Sequence, residues 1–102
     1  MGFHRVVPGT PAQLAEYLEK LHKNRGHIKS VMVNKESGRL EIDLDGKANF
    51  FGYPDIYLPI KEGSIEEASA MVAAIMERSA SGDGPSNADA QSLFEMIDPQ
   101  GQ

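Results

Sequence analysis

There is no cysteine among the 102 residues, which closes off disulfides, thiolate nucleophiles and cysteine-ligated zinc or iron–sulfur centres. Nor does any stretch approach the roughly 18 consecutive apolar residues that a bilayer-spanning helix needs. The opening Met1-Gly2-Phe3-His4-Arg5 lacks the apolar run of a secretory signal, and Val6 stands where the N-myristoylation pattern wants serine or threonine. A cytoplasmic protein with no membrane contact is the expectation. Equally missing are a glycine-rich phosphate loop, a nucleophile elbow, and any acid pair whose spacing forces proximity within one element. A non-enzyme without cofactor or metal is therefore expected ahead of a small enzyme that borrows residues from a second protomer.

What is present is the composition of a folded domain: 40 % of residues are hydrophobic and 25 % charged, and at this length a single core is expected. The net charge of −5 conceals a strong asymmetry. Between positions 20 and 39, Lys20, Lys23, Arg25, Lys29, Lys35 and Arg39 face one acid, Glu36, whereas positions 40 to 102 hold three bases and twelve acids. Opposite fields on one small body bear on steering and partner choice rather than on fold.

Local patterns define the elements. Phe3-His4-Arg5-Val6-Val7 reads as a short strand stopped by Pro8-Gly9. Thr10-Pro11-Ala12-Gln13 then supplies a capping threonine, a proline at the first helical position and a glutamine three residues after the cap. With Leu14, Tyr17, Leu18 and Leu21 at 3.6-residue spacing, this predicts a helix over about 11–25 that stops at Gly26. Positions 27–33 and 39–45 form the clearest hairpin, joined by the turn Asn34-Lys35-Glu36-Ser37-Gly38. Its second strand alternates Leu40, Ile42 and Leu44 against Arg39, Glu41, Asp43 and Asp45. Positions 48–53 and 56–60 read as one strand broken at Gly52 and Pro54, which argues for a sheet edge or a bulge. Gly63-Ser64-Ile65-Glu66-Glu67 opens a second helix over about 65–78 with a capping box.

These readings predict an α+β fold: a mainly antiparallel four-stranded sheet with two helices on one face, in the order β-α-β-β-β-α, followed by a C-terminal tail. The domain is expected over 1–80, with a polar linker and tail over 81–102. Ser86-Asn87-Ala88-Asp89 is a cap for a short helix near 88–97, on which Leu93, Phe94 and Ile97 share a side.

Two groups of residues are candidates for binding. Phe50, Phe51, Tyr53 and Tyr57 bring four of the seven aromatics into eight positions. On a strand Phe50 and Phe51 point to opposite faces, so one is exposed unless a bulge at Gly52-Tyr53-Pro54 turns both inward. Together with Leu93, Phe94 and Ile97, whose stripe suits either self-docking or a partner's groove, they form the candidate partner-binding set. The primary expectation is thus a non-enzymatic protein-interaction module, a small regulator or inhibitor, whose partner is another protein or a second copy across the supposed edge at 48–60. The alternative is an anion or nucleic-acid binder using Lys20, Lys23, Arg25 and Lys29, although ordinary capping at a helix C-terminus also accounts for Lys23 and Arg25. The order helix, three strands, helix is shared with double-stranded-RNA-binding domains. Where those domains open their second helix with lysines, however, this chain reads Lys61-Glu62-Gly63-Ser64-Ile65-Glu66-Glu67, whose acids repel phosphates. Asp43-Leu44-Asp45-Gly46 lacks the later ligands of a calcium loop, since Lys47 and Pro54 hold two of those positions, and is read as a turn. The spacing of His4, His22 and His27 matches no ligand pattern.

Overall fold

A computed structural model describes residues 3–45 and 52–100. Helix α1 (Pro11–Lys23) starts as its sequence predicts: Gln13 N–H donates to Thr10 Oγ1 at 3.1 Å. The Gln13 side chain reaches back one residue further than a standard box, accepting from Gly9 N–H. The helix closes before Gly26 because side chains take its last carbonyls. Asn24 Nδ2 donates to Lys20 O at 2.9 Å, and Arg25 donates to His22 O at 2.7 Å. A 3₁₀ turn over Arg25–His27 then leads into β2 (Ile28–Asn34).

Strand β2 pairs antiparallel with β3 (Arg39–Leu44), which pairs antiparallel with β4 (Asp55–Pro59). The two-residue strand β1 (His4–Arg5) joins the far side of β4 in parallel, giving the order β1-β4-β3-β2. The sheet is therefore mixed: two of its pairings are antiparallel, as expected, and the short β1 pairing is parallel. The reason is connectivity: α1 returns the chain so that β2 runs with β1, and the two hairpin steps that follow make β4 run with both.

Strand β4 lies inside the sheet, contrary to the edge expected from its prolines. Beyond β1, Val6 N–H donates to Tyr57 O at 2.9 Å, Asp98 N–H donates to Pro59 O at 2.9 Å, and Ile60 bridges Ile97. The prolines fit because Pro54 and Pro59 serve this ladder as acceptors: Pro54 O takes Leu44 N–H at 2.7 Å, and Pro59 O takes the Asp98 bond.

Helix α2 (Ile65–Ala80) is entered from a 3₁₀ turn over Glu62–Ser64, and Ser64 makes no side-chain cap, which corrects the expected capping box. Glu66 and Glu67 still occupy the first turn, where the helix dipole favours them. The short helix expected near 88–97 is α3 (Asn87–Met96), and it packs into the core as a third helix beside the two expected there. Its start is a full capping box between Ser86 and Asp89, each donating a backbone N–H to the other's side chain at 3.0 and 3.1 Å.

One face of the sheet, carrying Val33, Leu40, Ile42, Leu44, Ile56 and Leu58, shares a single core with Leu14, Leu18 and Leu21 of α1, Ala68 and Val72 of α2, and Ala90, Leu93 and Met96 of α3. Short helices need such packing to persist in water. The opposite face bears none of the described helices, and across it the register aligns Met32, Glu41, Tyr57 and Arg5.

Candidate functional site: the β2 edge

The expected binding residues do not assemble into one surface. Leu93 is fully buried and Ile97 lies beside it in the core, paired with Ile60. Both are spent on the fold of the chain itself. Phe94 is half-buried and lines a shallow cavity of about 280 Å³ with Pro8, Ile97 and Pro99. Tyr57, on the helix-free face, is only 8 % exposed, with the Arg39 guanidinium 4.1 Å from its ring centroid. Tyr53 is 45 % exposed, but its ring stacks on His4 at 3.8 Å. Phe50 and Phe51 lie outside the described residues.

The basic run is brought together in part. Lys23 sits 3.8 Å from Glu19, an exposed i,i+4 pair, and Arg25 spends one N–H on the helix end. Lys20 and Lys29 are exposed and, among the described residues, make no ion pair. The histidines diverge. His22 Nδ1 shares a 2.7 Å hydrogen bond with Ser79 Oγ, His27 Nδ1 lies 3.2 Å from Asp45 Oδ2, and His4 Nδ1 lies 3.9 Å from Asp55. No group of three His, Asp or Glu side chains among the described residues is placed to hold a metal ion.

Asp89 and Arg78, where α2 meets α3, hold each other's charged forms. Burial pushes the Asp89 carboxyl up, but the Arg78 guanidinium and the Ser86 backbone and hydroxyl outweigh it and hold the group below the usual carboxylate range. Arg78 is correspondingly raised, chiefly by its hydrogen bond to Asp89. This pair joins two helices.

The feature that sequence reasoning missed is the free side of β2. Six of its seven residues pair with β3 on one side, and on the other β2 ends the sheet among the described residues. On the helix-free face beside this edge, Met32 is 51 % exposed, one of two large hydrophobic side chains so exposed among the described residues. On the helix-bearing side, α2 packs against β2, and an open groove of about 350 Å³ runs between them. Ile28 and Val31 form its strand wall, Met76, Ser79 and Ala80 its helix wall, and Arg25 and Gly26 its end. Ser79, 2 % exposed, is satisfied by His22, so the floor carries no orphaned polar group. The register slips between Ile28 and Ser30, a bulge that leaves Lys29 exposed at the edge. A hairpin's free edge can be found in sequence only once strand order is known, and strand order is what the sequence left open.

Such an edge can take an extended chain by main-chain hydrogen bonding, with alternate side chains entering the groove and lying against Met32. Comparison of the chain with protein-family models, with curated proteins and with solved structures finds no match.

Proposed function

We propose that the chain is a non-enzymatic protein-interaction module, a small regulator or inhibitor, that engages its partner at the β2 edge. The observation that carries this reading is the coincidence, on one strand, of a free backbone edge, an apolar groove on one side and an exposed methionine on the other. Ladder amides and carbonyls that end in water are templates for another strand, and a flanking groove adds selectivity that a bare edge lacks. Methionine suits such a surface because its flexible thioether adapts to different neighbours.

The experiment is affinity capture from native cell extract with identification of what is retained, using the wild-type chain beside Met32→Asp and Ala80→Trp. Both substitutions fall on exposed positions, so folding is expected to survive them. A protein retained by the wild type and lost from both variants is the expected result. Equal retention by all three moves the site away from β2.

The second reading, an anion site at the end of α1, is supported by Lys20 and Lys29, which make no ion pair among the described residues. Lys23 and Arg25 add less to it, since each already serves the helix.

A further inference from the structure

We infer that the occupant of the β2 edge is an acidic segment of a partner protein in extended conformation, added as a fifth strand beside Ser30–Asn34 with an apolar side chain in the groove. The inference rests on the interaction-module reading and gives it a partner chemistry.

Charge selects the chemistry. From Lys20 to Lys35 the chain holds no acid at all, and this stretch includes the whole of β2 and the turn that ends its groove. Arg25 stands at the groove's end with guanidinium N–H groups beyond the one given to His22 O, and Lys29 projects from the bulge. The nearby carboxylate Asp45 is taken by His27 at 3.2 Å, and Lys35 at the far end of the strand is paired with Glu66 at 3.1 Å. Arg25 and Lys29 therefore remain to meet negative charge, and guanidinium meets a carboxylate with two directed bonds.

Geometry selects the extended form. The strand wall of the groove is β2 itself, through Ile28 and Val31, and the two bases left for a ligand, Arg25 and Lys29, stand together at the end of that strand where the groove closes. In an added strand, residues that point toward the groove alternate with residues that point toward Met32, so apolar and acidic positions alternate too. The bulge limits pairing to the segment from Ser30 onward, and Lys29 beside it attracts an anionic strand and repels a cationic one.

Charge argues equally against a second copy in the same place. Two Ser30–Asn34 edges meeting across a two-fold would run antiparallel about Met32 and set Lys29 of each copy opposite Lys35 of the other, and like charges across an interface are costly. Phosphate backbones satisfy the cations but not the apolar groove.

The test is selection of random short peptides displayed on phage against the folded chain, with Ala80→Trp used for counter-selection, followed by anisotropy titration and amide chemical-shift mapping with the enriched peptide. The expected outcome is a consensus of alternating apolar and acidic residues that shifts the amides of Ser30–Asn34. Its affinity should fall about tenfold or more on joint reversal of Arg25 and Lys29 to Glu. Enrichment of neutral or basic strands that shift the same amides overturns the acidic assignment and leaves edge docking standing. Absence of any enrichment over Ala80→Trp overturns the docking itself, while capture from extract decides separately whether the chain binds proteins elsewhere. Shifts at Ser30–Asn34 caused by RNA, or by raising the concentration of the chain alone, also overturn it, in favour of nucleic acid or a second copy.

Discussion

Arg78 Nη2 donates to both carboxylate oxygens of Asp89, at 3.1 and 3.0 Å, and so ties the last turn of α2 to the first turn of α3. The same carboxylate accepts from Ser86 N–H, so one side chain both starts a helix and anchors it. Asp89→Ala removes both roles and is expected to lower stability by about 1–2 kcal/mol. Arg78→Ala leaves the cap and should cost less, because the guanidinium is substantially exposed. Urea denaturation of the two variants beside the wild type checks the order.

Acid should loosen this junction. The Asp89 carboxyl is held below its unfolded value, so its stabilisation is complete above about pH 4 and is lost as pH falls through the lower, folded-state value. Asp89→Asn removes this contribution, so its stability deficit relative to wild type should shrink below about pH 4. Denaturant midpoints measured from pH 2 to 7 for both proteins give the answer.

The C-terminal helix is expected to be as protected as the sheet. Leu93 is fully buried, and Lys61 N–H donates to Met96 O at 2.7 Å, which locks the end of α3 to the strand region. Amide exchange of Leu93 and Met96 should match that of Leu40 and Ile42, and Leu93→Ala should cost about 2–5 kcal/mol. Rapid exchange confined to 87–98 would instead show a segment that opens on its own.

A substitution at the hairpin turn should report on backbone rather than packing. Gly38 has φ +70°, and a Cβ there meets only Ile65 Cδ1, at the ordinary contact distance of 3.5 Å. Gly38→Ala is therefore expected to cost about 1–2 kcal/mol from the left-handed conformation alone. Thermal unfolding of this variant against Gly26→Ala, where the new methyl meets nothing within 4 Å and no positive φ is involved, separates the two causes.

The anion reading has its own signature. If Lys20, Lys23, Arg25 and Lys29 contact phosphates, log affinity for RNA, duplex DNA or heparin must fall linearly with log salt, with a slope of roughly −3 for four contacts. Reversal of Lys23 and Arg25 should flatten that slope by about two units. No binding to any of the three at low salt removes the anion site.

The helices and the hairpin were legible because each is specified by neighbours in sequence. Thr10, Pro11 and Gln13 mark the start of α1, and Ser86 with Asp89 marks that of α3. The alternation of Leu40, Ile42 and Leu44 faces the core as its period requires. Ser64 carried the same signal as Thr10 but does not cap: the 3₁₀ turn holds its backbone at ψ 5°, away from the extended conformation that Thr10 keeps at ψ 159° and that a capping side chain requires. What could not be read is anything set by chain segments far apart. That β4 is flanked by both ends of the chain follows from where α1 and α3 deliver them, and no local pattern records it. The burial of Tyr57 beneath Arg39 and the groove between β2 and α2 depend on the same long-range order.

The outer side of β4 is sealed from both directions, by Val6 from upstream and by Asp98 from downstream. On the ribosome the two hairpins can form as soon as Pro59 has emerged, whereas Ile97 and Asp98 are made last among the partners of this ladder. Throughout that interval the Pro59-Ile60 end of the strand lacks its Ile97 and Asp98 partners, and the core face lacks α3, the state in which nascent strands are most exposed to mispairing. A late-arriving C-terminal segment thus sets the moment at which this sheet becomes safe from its neighbours, and a translational pause between codons 60 and 86 would lengthen the hazard without changing a single contact of the finished protein.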